Sequence, residues 1–256
     1  MELRGRVALV TGAGSKSGIG RSVALLLAER GAAGVVVNYS RNAEAAAEVV
    51  EEIEALGVGA LAFQADVSVE SQVVAMVGAT VERFGRLDVL VNNAARTTRV
   101  SFEDLDGLTD KIWDETFDVN LRGAFYAIRA SAPHLRAARG AVVNVASIGG
   151  IRAVGSSSVA YAASKAALMN MTMTLARGLA PEVRVNAIVP GFIDGQWLQE
   201  GLGDRYEQTK EKVSRRIPVG MVTSPDGAAE AVAFLLENDY VTGHNLVIDG
   251  GYTIRD

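Results

Sequence analysis

At 256 residues and 49% hydrophobic composition, the chain suits one large α/β domain or two small ones, with a sizeable core in either case. A formal charge of −5 gives no basic surface for nucleic acid or an anionic membrane, and zero cysteines exclude disulfides, thiolate metal sites and Cys nucleophiles. The two histidines, His134 and His244, lie far apart in sequence, which argues against a His-based zinc site and leaves no metal expected. The apolar run near the start is too short for a signal peptide, and none approaches the ~20 residues of a membrane span, so a cytoplasmic protein is expected.

Taken in order, Val7 to Val10 reads as a short buried strand that runs into TGAGSKSGIG and then a helical pattern closed by Gly31. Gly34 to Asn38 predicts a second strand, Ala43 to Leu56 an acidic amphipathic helix, and Ala60 to Gln64 a third strand followed by Asp66-Val67. Ser68 is the expected N-cap of a helix reaching Phe84 and closed by Gly85. Leu87 to Val91 is the fourth strand; a long helix from about Thr109 to Ala138 should break at Pro133. Ala141 to Ala146 is the fifth strand, and the next helix should start near Ser157 and end by Pro181. Val183 to Val189 forms the sixth strand. Residues 191 to 216 read as an irregular polar substrate loop, in which Trp197, Leu198, Leu202 and Tyr206 are candidates for an apolar lid. Ser224-Pro225 opens a helix to Asn238, and Asn245 to Asp249 is a seventh strand.

Continuously apolar strands alternating with helices predict an α/β fold: a single Rossmann-type domain over residues 1–256, with a doubly wound, seven-stranded parallel sheet covered by helices on both faces. In such a fold ligands bind beyond the C-terminal ends of the strands. Gly12, Gly14, Gly18 and Gly20 in the first strand-to-helix turn would bring backbone amides and a helix N-terminus to a pyrophosphate. At the end of the second strand the stretch Asn38-Tyr39-Ser40-Arg41 lacks the acid that bonds the ribose 2′-hydroxyl of NAD. Arg41 and Ser40, with Lys16, could instead meet a 2′-phosphate, so NADP(H) is favoured and NAD(H) is the alternative.

Tyr161 and Lys165 are four residues apart and share one face of a helix. An ammonium beside the phenol would favour phenolate, and Ser147, placed opposite, could hold a carbonyl in line with the Tyr161 hydroxyl. That is an acid/base device for interconverting a ketone and an alcohol.

Taken together these motifs resemble the short-chain dehydrogenase/reductase family over essentially the whole chain. The matches run in order: TG…GIG, Asp66-Val67, NNA at 92–94, Asn120, Ser147, YAASK at 161–165, PG at 190–191 and the terminal VIDGG. The stretches VVVNYSRNAEAAAEVVEEIEALG, RVNAIVPGFI and VTGHNLVIDGG are similar to the 3-oxoacyl-acyl-carrier-protein reductase branch. The resemblance implies that Tyr161 is the general acid in reduction, that Lys165 lowers its pKa and bonds the nicotinamide ribose, that Ser147 orients the carbonyl, and that Asn120 holds a relay water. It also implies cofactor contacts from Gly12, Ser15, Gly18, Ile19 and Gly20 on the pyrophosphate loop. Asp66 and Val67 would lie at the adenine, Asn93, Ala94 and Ala95 near the adenosine ribose, and Pro190, Gly191 and Ile193 at the nicotinamide amide. A sugar, steroid or small cyclic alcohol is the alternative substrate, a non-catalytic dinucleotide sensor the alternative class, and a homotetramer the implied assembly, joined through the long helix and the helix carrying Tyr161.

The chain departs from the family pattern at four points. Five residues separate Gly12 from Gly18, so either the loop is two residues longer or Gly14 takes the first glycine's place. NNAA stands where NNAG is commoner, Ser147 and Tyr161 are 14 positions apart, and the segment between NNAA and Asn120 is extended. The last two insertions would line the substrate mouth.

Overall fold

The computed structural model describes residues 1–153 and 158–255. Seven strands form one parallel sheet: β1 (Val7–Val10), β2 (Gly34–Tyr39), β3 (Gly59–Gln64), β4 (Val89–Asn92), β5 (Ala141–Val145), β6 (Arg184–Pro190) and β7 (Asn245–Ile248). Their spatial order is β3-β2-β1-β4-β5-β6-β7, and every pairing is parallel. The order reverses direction between β1 and β4, which opens a crevice at the C-terminal ends of those strands.

Both faces of the sheet are apolar because neither meets water. Ala8 and Val10 of β1 join Val35, Val37, Val89 and Val91 in one core layer, under α1 (Ile19–Glu29), α2 (Ala43–Ala55) and α9 (Pro225–Glu237). Leu9, Val36, Leu90 and Val142 point the other way, toward α3 (Glu70–Phe84), α5 (Ala124–Ala138) and α6 (Val159–Leu179). The alternation is that of strands buried on both sides, as the continuous apolar runs required. Asp88, fully buried just before β4, accepts from Arg6, Arg86 and the Val7 backbone amide. Burial pushes its carboxyl upward, but those donors outweigh burial and hold it below the usual range.

Three boundaries differ from expectation. Ser68 does not cap α3: Asp66 Oδ1 accepts its amide at 2.9 Å and its hydroxyl at 2.6 Å, which ties it into a turn, and Val69 is the residue at the cap. The long helix is not broken at Pro133, which lies inside α5. It departs from regularity earlier, between α4 (Asp110–Phe117) and α5, in a π-helical turn over Asp118–Gly123. There a side chain on Gly123 would come within 2.8 Å of Val67, so the π turn lies where the helix passes close to the turn after β3.

Residues 191 to 216 are not irregular: α7 (Gln196–Leu202) and α8 (Tyr206–Ser214) flank a 3₁₀ turn. Glycine misleads here because two of the four glycines mark helix ends. Gly195 is the N-cap of α7, and Gly203 ends it with a φ of 53°. The expected start of the Tyr161 helix near Ser157 lies outside the described residues; α6 is capped by Ser158, whose hydroxyl accepts the Tyr161 amide at 3.3 Å. Among the described residues no helix is long and apolar enough to cross a membrane.

Candidate active site

The crevice beyond β1 and β4 is an open cleft of about 1270 Å³. Its nucleotide-side wall is held together by two asparagines and a threonine. Thr11 Oγ accepts the amides of Asn93 and Ala94, both at 3.0 Å. Asn93 Nδ2 returns bonds to the carbonyls of Thr11 and Gly12, both at 2.9 Å. Asn38 Oδ1 accepts the Gly12 amide at 3.1 Å, while its Nδ2 donates to Ala65 at 3.0 Å. Four strand ends are thus pinned to one another by Thr11 and Asn38, both buried, and by the half-buried Asn93.

The glycine loop now resolves. Gly12, with a φ of 63°, makes the tight turn, and a Cβ there would stand 2.8 Å from the Ala94 Cα. Gly14 lies against α2, where a Cβ would meet Tyr39 at 2.7 Å and Ala46 at 2.9 Å. Gly12 therefore keeps the first-glycine position and the loop is the longer one. Its additional residues reach the far side of the cleft: the Lys16 amide donates to Gln196 Oε1 at 3.1 Å, and the Gln196 amide to Ser17 at 3.3 Å. Gly18 opens α1 with no side-chain cap, which leaves first-turn amides for an anion.

At the end of β2, Ser40 and Arg41 line the cleft, beside Gln64, whose Nε2 donates to the Ser40 carbonyl at 3.1 Å. Glu44 stays in the first turn of α2, outside the lining, so no carboxylate from that turn faces this corner. The set fits a phosphorylated ribose.

At the reacting end, β5 stops at Val145 and Ser147 caps a 3₁₀ turn, Ile148–Gly150, its Oγ accepting the Gly149 amide at 3.1 Å. Gly150 lets that turn lie directly on α6, since a Cβ would be 2.7 Å from the Ala166 nitrogen. The consequence is a hydrogen bond between the Ser147 and Tyr161 side chains. The phenol is pushed up by burial, against the opposing pull of the Ser147 hydroxyl and the Arg99 charge. Lys165 is 1% exposed. Its Nζ donates to the Val145 carbonyl at 2.7 Å and stands 5.7 Å from the centroid of the Tyr161 ring. Burial lowers this amine to about 7. The Lys165 amine lies over the Tyr161 ring and on the Val145 carbonyl, while Ser147 and Arg99 exert the downward pull on the phenol.

Of the catalytic and cofactor residues expected from the sequence, all line the cleft except Lys16, Tyr39 and Asn120; of the expected lid residues, Trp197 and Leu198 line it and Leu202 and Tyr206 do not. Lys16 is exposed and meets α7 through its backbone; Tyr39 packs with the core beside Gly14. Asn120 is buried in the π turn. Its Oδ1 accepts the Arg96 amide at 2.7 Å, and its Nδ2 donates to the Arg96 carbonyl at 2.9 Å and Ser164 Oγ at 3.0 Å. That amide is a strut between the loop after β4 and α6. Asn92, Asn144 and Thr172 make a similar strut one layer deeper, with bonds of 2.9 Å.

On the substrate-side wall the expected Trp197 and Leu198 line the cleft, whereas Arg99 and Phe102 were not singled out from the sequence. Arg99 and Phe102, from the extended loop after β4, face the cleft together with Trp197. The Trp197 ring meets Tyr161 edge-on, 6.3 Å between centroids. Below it, Asp194 accepts from Tyr206 and Lys210, which tethers α8 to the strand-six loop and holds the Asp194 carboxyl below its usual range. For Arg99 and Phe102 the sequence signal was the extra length of the loop after NNAA.

Comparison with known proteins comes to the same place. A family model described as enoyl-(acyl carrier protein) reductase matches residues 12–253. A 3-oxoacyl-(acyl-carrier-protein) reductase of Staphylococcus aureus is 42% identical over 249 residues, covering 95% of this chain and 96% of that protein. The corresponding reductase of Thermotoga maritima is 36% identical over 99% of this chain and 100% of its own. Among solved structures, a short-chain dehydrogenase of Burkholderia cenocepacia in complex with NADP superposes with a TM-score of 0.88 at 37% identity, covering 99% of this chain and 100% of that one.

Proposed function

Given that this chain belongs to the short-chain dehydrogenase/reductase family of oxidoreductases, we propose that it interconverts a ketone and a secondary alcohol with NADP(H), and that a 3-oxoacyl thioester is its first candidate substrate. The observation that carries the reading is the Ser147–Tyr161 hydrogen bond at the floor of a cleft whose other end presents Arg41, Ser40 and the glycine loop. The cofactor supplies the hydride. The uncapped start of α1 would receive its pyrophosphate, and Arg41 with Ser40 a 2′-phosphate. The 3-oxoacyl reductases among the relatives and the NADP held by the Burkholderia protein support the substrate and cofactor choices.

The chain's own residues do the rest. Ser147 holds the carbonyl oxygen, and Tyr161, raised by burial and so protonated at neutral pH, donates its proton as negative charge develops there. Lys165, lowered to about 7, is poised to exchange a proton near neutrality. Asn120 keeps the Arg96 loop against α6, and so keeps the cleft wall in register with Tyr161. Exposed Phe125 on α5 and Met173 on α6 support pairing of copies through these helices, as the proposed homotetramer requires; light scattering tests it. The activity is tested by following NADPH and NADH at 340 nm against 3-oxoacyl thioesters, neutral ketones and a 2-enoyl thioester. Ketone reduction with NADPH preferred is expected; reduction of the enoyl thioester alone, or a clear NADH preference, contradicts the assignment.

A further inference from the structure

We propose that Arg99 is a specificity-determining residue that binds a carboxylate on the substrate, next to the carbonyl held by Ser147 and Tyr161. The inference rests on the carbonyl-reductase reading and narrows its substrate to a short oxo acid. Three observations converge on it. Arg99 lines the cleft in the substrate-side wall, on the loop that is longer than the family pattern. Its guanidinium lies in a notch made for it: a Cβ on Gly201 of α7 would come within 2.0 Å of Nη2 and 2.6 Å of Cζ, so the one glycine inside that helix is what admits the side chain. The charge also reaches the reacting group, because Arg99 is among the influences that favour the Tyr161 phenolate.

The electrostatic surroundings favour an anion over a neutral acceptor. Arg99 is half-buried, and burial together with the neighbouring Arg205 disfavours its charged form. An entering carboxylate relieves both penalties and can accept two parallel N–H bonds from the guanidinium fork, whereas a thioester carbonyl offers one neutral oxygen. Trp197 stands edge-on to Tyr161 beside this position. A 3-oxo acid carries its carboxylate two bonds from the carbonyl, a spacing suited to bridging adjacent groups.

The test compares 3-oxobutanoate, its N-acetylcysteamine thioester and pentan-2-one with the parent enzyme, Arg99→Met and Arg99→Lys, under NADPH. Arg99→Met should lower kcat/KM for the acid roughly 30- to 100-fold, mainly through KM, and for the ketone by less than about 5-fold; Arg99→Lys should recover part of the loss. Unchanged NADPH binding by fluorescence shows that the variants are folded. An acid-to-ketone ratio that does not change, or equal losses for acid and thioester, overturns the carboxylate assignment while leaving the reductase reading intact. Turnover of none of the three by the parent enzyme sinks that reading and the proposal with it.

Discussion

The two walls of the cleft are built differently. On the nucleotide side, Thr11, Asn38 and Asn93 stitch four strand ends together through backbone amides and carbonyls, and the glycines fill gaps bounded by backbone. On the substrate side, α7 and α8 are held mostly by side-chain tips, Gln196 on the glycine loop, Tyr206 and Lys210 on Asp194 and Trp197 against Tyr161, with one backbone bond from Gln196 to Ser17. A wall stitched through backbone tolerates no change of shape, whereas one held by side-chain ends can adjust. The first suits a cofactor common to many reactions, and the second a substrate that varies.

The contrast is broken most forcibly at Gly20. A Cβ there would stand 2.4 Å from Asn93 Nδ2 and 2.7 Å from the Gly12 carbonyl. Gly20→Ala should cost about 2–3 kcal/mol of stability and abolish tight NADPH binding, seen in urea unfolding and a fluorescence titration. A variant as stable as the parent would show that the nucleotide wall is not rigid. Arg41→Ala tests the same wall's selectivity: the ratio of NADPH to NADH kcat/KM should fall about 10- to 100-fold, equivalent to roughly 1.4–2.7 kcal/mol.

How far these walls were legible in the sequence follows from the same distinction. The seven strands, their parallel pairing and nearly every nucleotide-side residue could be read, because apolar runs and glycines record backbone constraints directly. Ser147, Tyr161 and Lys165 were legible from spacing and resemblance. Arg99 was not: what makes it notable is a notch at Gly201, about a hundred positions away, and no local pattern reports such a meeting. The helices of 191–216 were hidden for a related reason, since Gly195 and Gly203 bound α7 instead of dissolving it. Pro133 misled in the opposite direction, because a long packed helix tolerates one missing bond, while the π turn around Asn120 falls where Gly123 lies close to Val67.

Smaller effects sharpen the picture at the seam between the walls. The amine of Lys165 is depressed to about 7 by burial, against an ordinary value of 10.5. Below about 7 both folded and unfolded chains hold the proton; between about 7 and 10.5 only the unfolded chain does, so stability rises with pH across that window. The stability of the parent relative to Lys165→Met should therefore increase by up to about 1.4 kcal/mol per pH unit between pH 7 and 9, and a flat difference would contradict the burial argument. The smallest effect belongs to Gly201→Ala. Its new methyl meets only the end of the flexible Arg99 side chain, so stability should change by less than about 1 kcal/mol while the acid-to-ketone ratio falls.

The central claim is that the Tyr161 hydroxyl, bonded to Ser147, delivers the proton to the carbonyl oxygen. Single-turnover oxidation of bound NADPH by Tyr161→Phe, followed at 340 nm, tests it most directly. The account predicts a rate at least about 1,000-fold below the parent's, with the NADPH Kd changed by less than about 3-fold. A variant that still turns over within about 10-fold of the parent would place the proton donor elsewhere.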